Sequence, residues 1–88
     1  MIEVLYFGGA HCAPCKAMLP VVKRLVEGRS DITLAVYDIA KDGDIPEFTR
    51  HKVSTLPTTI VRGNGVGEDR ATGARSEAQL RKLLFDGL

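Results

Sequence analysis

The sequence predicts a single α/β domain over residues 1–88, in which three helices flank a mixed four-stranded sheet in the order β-α-β-α-β-β-α. Apolar runs of strand length alternate along the chain with segments whose apolar residues recur every three or four positions. A helix joins the first two strands, so we expect them to be parallel with a right-handed crossover. A tight turn joins the last two strands, so we expect them to be antiparallel.

The first strand and the first helix are predicted from a change of period near residue 13. Residues 2–7 form a compact apolar run that ends at two glycines. From residue 13 to residue 27 the apolar positions recur at three and four, which indicates an amphipathic helix. We expect Gly28 to end this helix and Pro20 to kink it.

The middle of the chain predicts a second strand, a short helix and a third strand. Residues 32–38 and 58–62 are rich in strand-forming residues. Between them, Asp44 and Glu47 have the spacing of a capping box, and Pro46 suits the first turn of a helix that continues to about residue 51.

The C-terminal part predicts a turn, a fourth strand and a last helix. Glycines at 63 and 65 indicate a turn before a short strand at 68–72. Ser76 and Gln79 have the spacing of a second capping box. The apolar stripe of the helix that follows consists of Leu80, Leu83 and Leu84.

Composition argues against several classes of partner. The net charge of +1 gives no electrostatic case for nucleic acid or an anionic membrane, and no apolar run approaches the roughly 20 residues of a membrane span. The N-terminal run carries an acid instead of a basic segment, so we interpret it as a strand and not as a secretory signal. We therefore expect a cytoplasmic monomer, whose thiols are kept reduced.

Both cysteines of the chain lie in the loop HCAPC, where the first strand leads into the first helix. Open α/β sheets place functional sites at the carboxyl ends of strands, so this loop is the candidate active site. Cys12 is expected at the helix N-terminus, where free N–H groups and the helix dipole favour a thiolate. Cys15 lies one turn later on the inward stripe, which predicts a less exposed thiol. This asymmetry suits a two-step thiol–disulfide exchange.

The neighbours of the cysteines are candidates for tuning the loop. Pro14 suits the first turn of the helix and stiffens it. His11 and Lys16 are cationic groups of the kind that lower a thiol pKa. For both side chains a solvent-facing position with no role in the chemistry remains an alternative.

Three segments resemble the thioredoxin family. CAPCK followed by Pro20 is similar to the family's CxPCK with its later proline, VSTLPT to the segment that contains its cis proline, and TGARSEAQL to the start of its final helix. The resemblance spans residues 2 to 86 and implies a reductase of protein disulfides. It also implies that Leu56 and Pro57 bind the substrate chain like an added strand. No bound cofactor is implied, because electrons would come from NADPH through a flavoprotein reductase.

The chain also departs from the family pattern. It begins directly at the CxxC-bearing unit, as glutaredoxins and the miniature thioredoxins of some archaea and phages do. His11 replaces the tryptophan before the first cysteine, and Tyr6 aligns with the buried aspartate that accepts a proton from the second. The replacement for that acceptor is left open between Lys16, Asp38 and water.

Three alternatives compete with a thioredoxin-like reductase. A zinc site would need His11 and His51 beside the two cysteines, but adjacent ligands at 11 and 12 fit tetrahedral coordination poorly, so we expect no metal. A glutaredoxin reduced by glutathione would suit the short chain, although TGARSE does not match that family's glutathione signature. A non-enzymatic binding module would tolerate the loss of both cysteines.

Overall fold

The computed structural model describes residues 1–63 and 67–85 and has the order of elements that the sequence predicts. The elements are β1 (Ile2–Gly8), α1 (Ala13–Val26), β2 (Ile32–Asp38), a 3-10 turn (Asp42–Asp44), α2 (Ile45–Arg50), β3 (Thr58–Gly63), β4 (Glu68–Thr72) and α3 (Glu77–Phe85). The predicted turn falls largely on residues 64 and 65, which lie outside the described residues. None of the described helices is long and apolar enough to cross a membrane.

The four strands form one mixed sheet in the order β2-β1-β3-β4. β1 pairs with β2 in parallel, whereas β1 with β3 and β3 with β4 are antiparallel, as predicted. The parallel register ends with Gly8 beside Asp38. The carboxyl ends of β1 and β2 therefore meet at the edge from which the cysteine loop departs.

β1 lies between two apolar clusters because its side chains alternate between the faces of the sheet. One face packs against α1 and α3, and its buried residues include Ile2, Val4, Tyr6, Val22, Leu80 and Leu84. The other face packs against α2 through Leu5, Phe7, Phe48 and Ile60. A strand buried on both sides holds the loop that follows it in a fixed position.

The bounds of the first helix match the predicted ones to within one residue. α1 continues through Pro20 and ends at Val26, with Glu27 as C-cap. Gly28 follows with φ of +74°, the left-handed conformation that glycine adopts without steric cost.

The two predicted capping boxes have different outcomes. Gln79 N donates to Ser76 Oγ at 3.2 Å and Ser76 N donates to Gln79 Oε1 at 2.9 Å, which confirms the box that begins α3. The box at Asp44 is wrong, because this residue has helical backbone angles and its side chain caps no N–H of α2. Asp44 Oδ2 instead accepts from Asp38 N at 2.9 Å, so a tertiary contact takes the oxygen that a cap would use.

Candidate active site

The first turn of α1 positions both sulfurs. Cys12 is the N-cap residue and has an extended backbone. Pro14 lies in the first turn of the helix, where its missing N–H removes no hydrogen bond from the helix. The Sγ atoms of Cys12 and Cys15 are joined in a disulfide, with their Cα atoms 5.2 Å apart. Cys12 is partly exposed, whereas Cys15 is 3% exposed. A disulfide from another molecule can therefore approach Cys12 but not Cys15.

The surroundings of Cys12 Sγ favour a negative charge. Cys15 N donates to this sulfur at 3.2 Å, and the positive end of the α1 dipole lies at the same point. The first turn of α1 contains no acidic residue that would repel a thiolate. Once the disulfide is reduced, the Cys15 N–H and the helix dipole stabilise the thiolate relative to the thiol.

Tyr6 of β1 helps to fix the position of Cys15 through a hydrogen bond to its backbone. Its side chain is 1% exposed, and its hydroxyl donates to the carbonyl oxygen of Cys15 at 3.0 Å. Burial raises the pKa of Tyr6 to about 12, so the phenol keeps its proton and remains a donor. The sequence placed Tyr6 at the position of the family's buried aspartate but did not indicate this hydrogen bond, whose partner comes from α1.

The raised pKa of Tyr6 predicts a loss of stability at alkaline pH. A tyrosine in the unfolded chain ionises near pH 10, so from about pH 10 to 12 the unfolded state is favoured by proton release. At about 1.4 kcal/mol per pKa unit, the loss due to Tyr6 approaches roughly 2–3 kcal/mol at pH 12.

The variant Tyr6→Phe cannot release this proton and is expected to lack this loss. Urea unfolding of both proteins at about pH 8 and about pH 11.5 measures the effect, since the other titrating groups are shared. The free-energy difference between wild type and variant should move in favour of the variant at the higher pH. A difference that does not change with pH would show that the Tyr6 phenol is not protected by burial.

Gly8 allows the close approach of β1 to the cysteine loop. A Cβ at this position would lie 3.0 Å from Tyr6 Cε1 and 3.3 Å from Cys15 Sγ. Both distances are shorter than ordinary van der Waals contact, so any side chain here would press on the sulfur. Any other residue at this position would force Tyr6 or Cys15 to shift by a few tenths of an ångström, so glycine suits the close approach of the strand to the disulfide.

A pocket of about 150 Å³, called here the Cys15 pocket, opens beside the buried sulfur. It lies between α1 and the carboxyl ends of β1 and β2. Its lining includes Tyr6, Gly8, Cys15, Lys16, Leu19 and Asp38. Of the three proton acceptors left open by the sequence, two are thus placed beside Cys15, and the pocket has room for the third, water.

The Leu56–Pro57 peptide bond is cis, the isomer that the family resemblance implies. Pro57 is buried and Leu56 is half-buried. Within residues 1–63 and 67–85, no hydrogen bond uses the N–H or C=O of Leu56. Both groups are therefore open to an extended chain that lies alongside them.

An apolar surface connects Leu56 with the cysteine loop. A Cβ at Gly9 would lie 2.9 Å from Ile39 Cγ2 and 3.7 Å from Leu56 Cδ1. Ile39 is 43% exposed, which is high for a large apolar side chain. The sequence marks Gly9 only as part of a close turn before the cysteines, and it does not single out Ile39, because the contact between them depends on the packing of two loops.

The remaining candidate residues separate into two groups. His11 and Lys16 are exposed beside the cysteines. His51 lies instead on the opposite face of the sheet, with its ring 5.6 Å from that of Phe7 and its Nε2 3.5 Å from Glu47 Oε2. The four candidate zinc ligands therefore do not come together, and the part of the chain that the structure describes contains no group of three potential ligands.

Comparison with known proteins gives a consistent assignment. The family model for thioredoxin matches residues 2–86. Thioredoxin of Mycolicibacterium smegmatis is 30% identical over 83 residues, covering 93% of this chain and 74% of that protein. The bifunctional thioredoxin reductase/thioredoxin of Mycobacterium leprae is 33% identical over 82 residues, covering 91% of this chain and 17% of that protein. Oxidised thioredoxin O2 of Arabidopsis thaliana superposes with a TM-score of 0.81 at 28% identity, covering 93% and 70% of the two chains.

Proposed function

The chain belongs to the thioredoxin family and is a thiol–disulfide oxidoreductase that reduces protein disulfides, and we propose that Cys12 is its attacking thiol and Cys15 its resolving thiol. The observation that supports these roles most directly is the position of Cys12 as the N-cap of α1, with Cys15 buried behind it. Cys12 is the more exposed of the two, and its sulfur accepts the Cys15 N–H at the start of the helix, which favours a thiolate.

The proposed reaction has two steps. The Cys12 thiolate attacks one sulfur of the substrate disulfide, and the other substrate sulfur leaves with the bonding electron pair and takes a proton from solvent. Cys15 then loses its proton and attacks Cys12 Sγ, which releases the second substrate sulfur. The substrate gains two electrons and two protons, and the protein ends with the Cys12–Cys15 disulfide. The two sulfurs carry the electrons, so the exchange itself needs no bound cofactor.

The substrate is proposed to bind as an extended chain beside Leu56. The open N–H and C=O groups of Leu56 would pair with its backbone, while Pro57 closes the site without offering a competing donor. The exposed surface of Ile39 would contact its apolar side chains. His11 and Lys16 are proposed to tune the charge around Cys12, and Pro14 to hold the loop in shape.

The proposed electron donor is NADPH acting through a flavoprotein reductase. The Mycobacterium leprae relative, named as a bifunctional thioredoxin reductase/thioredoxin, supports this pairing, because it carries both activities in one chain. We also propose that the chain acts as a monomer in the cytoplasm, where the reduced state of thiols is maintained.

Two coupled assays with insulin test this function. In the first, NADPH and thioredoxin reductase supply electrons, and in the second, NADPH, glutathione reductase and glutathione supply them. We expect insulin reduction in the first assay, well above a control without the chain, and little in the second. Turnover only with glutathione would assign the chain a glutaredoxin role, and no turnover with either donor would contradict the proposed pairing.

A further inference from the structure

The resolving step, as assigned above, requires an acceptor for the Cys15 proton. Cys15 is 3% exposed, and a thiol in apolar surroundings holds its proton more tightly than a thiol in water. Only the thiolate attacks a disulfide, so the proton must leave before or during the second step. Because Cys15 is almost fully buried, we look for the acceptor among the groups that line the Cys15 pocket and a water held within it.

Tyr6 and Lys16 do not qualify as that acceptor. The Tyr6 hydroxyl donates its hydrogen to the carbonyl oxygen of Cys15, and burial raises the pKa of Tyr6 to about 12. The ammonium group of Lys16 offers three donors and no acceptor. Each of these groups can fix or polarise the site as a hydrogen-bond donor.

Asp38 is the only carboxylate among the described residues that line the Cys15 pocket. It pairs with Gly8 in the parallel register, so the two residues point to the same face of the sheet. A Cβ at Gly8 would lie 3.3 Å from Cys15 Sγ, which places the sulfur over the neighbouring strand. Asp38 and Cys15 therefore line the same pocket, Asp38 from β2 and Cys15 from above the adjacent end of β1.

The side chain of Asp38 is held in place yet keeps an oxygen for a further partner. Its Oδ1 accepts from Ala40 N at 2.8 Å, and its backbone N–H donates to Asp44 Oδ2 at 2.9 Å. The pocket volume of about 150 Å³ exceeds what one water needs. A water between Cys15 Sγ and Asp38 Oδ2 would have the polar partners that an ordered water requires.

We propose that Asp38 accepts the proton of Cys15 through such a water during the resolving step. The water takes the thiol proton and passes one of its own to the Asp38 carboxylate. The Cys15 thiolate forms the bond to Cys12 Sγ, and the substrate sulfur leaves with the electron pair. Asp38 is half-exposed and then returns the proton to solvent. The proposed acceptor thus lies on β2. On β1, the position that aligns with the family's buried aspartate is occupied by Tyr6, which donates a hydrogen bond.

Charge alone predicts the opposite effect of removing Asp38. The titratable groups that line the pocket beside Asp38 are Tyr6, Tyr37, Cys15 and Lys16, and Asp44 accepts the backbone N–H of Asp38. Neutralising a carboxylate in this setting favours the Cys15 thiolate by Coulomb interaction and would speed the second step. A slower second step in Asp38→Asn therefore reports proton transfer and not electrostatics.

The test is stopped-flow reaction of the reduced protein with 5,5′-dithiobis(2-nitrobenzoate). Attack by Cys12 releases the first thionitrobenzoate in a phase that depends on reagent concentration, and attack by Cys15 releases the second in a phase that does not. In Asp38→Asn at neutral pH we expect the second phase to slow by on the order of tenfold or more, with the first phase within about twofold of wild type. The asparagine keeps an oxygen for Ala40 N, so the loop is retained.

The matched control is Asp42→Asn, which removes an exposed carboxylate from the same loop and should leave both phases unchanged. At alkaline pH, where Cys15 ionises without an acceptor, the second phase of Asp38→Asn should approach that of wild type. An unchanged or faster second phase in Asp38→Asn would overturn the role of Asp38. The absence of the first phase in wild type would instead contradict the proposed role of Cys12. A failure of the Asp38 proposal is therefore distinguishable from a failure of the proposed function.

Discussion

Cys12→Ser is expected to abolish catalysed reduction of protein disulfides. A serine hydroxyl remains protonated at neutral pH and does not attack disulfide sulfur, so the rate should fall by at least about two orders of magnitude, to the uncatalysed background. The measurement is insulin reduction driven by dithiothreitol, followed by the precipitation of the released B chain. Cys15 cannot substitute for Cys12, because the residue is only 3% exposed and lies behind the N-cap position.

The serine variant also controls for folding. Serine is a good N-cap residue, so α1 should begin at the same point and the reduced protein should unfold within about 1 kcal/mol of reduced wild type. A loss of activity with unchanged stability then reports chemistry alone. Turnover above background in Cys12→Ser would contradict the assignment of Cys12 as the attacking thiol.

Phe7→Ala is expected to lower the free energy of unfolding strongly. Phe7 is fully buried in the central strand, and its ring centroid lies 5.1 Å from that of Tyr37 and 5.0 Å from that of Phe48. Removing the ring deletes these contacts and leaves a cavity beneath α2, at a cost of about 3–5 kcal/mol. Because a small domain has only about 5–15 kcal/mol in total, this variant should be close to unfolding.

Equilibrium unfolding in urea measures this cost, and Ile45→Ala is its control. Ile45 is a large apolar residue of α2 but is 37% exposed, so its truncation should cost less than about 1 kcal/mol. Similar losses of stability in the two variants would contradict the placement of Phe7 in the core between the sheet and α2.

Much of the fold could be predicted because local patterns and tertiary packing agree. The change of period at Ala13 places the cysteines between a strand and a helix, and Ser76 with Gln79 marks the start of α3 through contacts within four residues. These features need no knowledge of distant partners. Asp44 shows the limit, since its side chain bonds to the end of β2 in preference to the helix it precedes.

The parts of the site that the sequence left open depend on register. Asp38 was one of three candidate acceptors, and only the pairing of Gly8 with Asp38 places it on the same face as Cys15. The hydrogen bond from Tyr6 likewise joins β1 to α1 across the core. Periodicity shows which face a residue occupies but not which residue of the next element meets it.

The central claim, that two sulfurs act in sequence on a protein disulfide, is tested most directly by trapping its intermediate. Cys15→Ser is expected to accumulate a covalent complex with the substrate, because Cys12 attacks and no second thiol follows. Mass spectrometry after proteolysis, without reductant, identifies the joined peptides. We predict a mixed disulfide between Cys12 and a substrate cysteine, absent in the double variant that also carries Cys12→Ser. Complete turnover by Cys15→Ser with no mixed disulfide at Cys12 would contradict the paired mechanism.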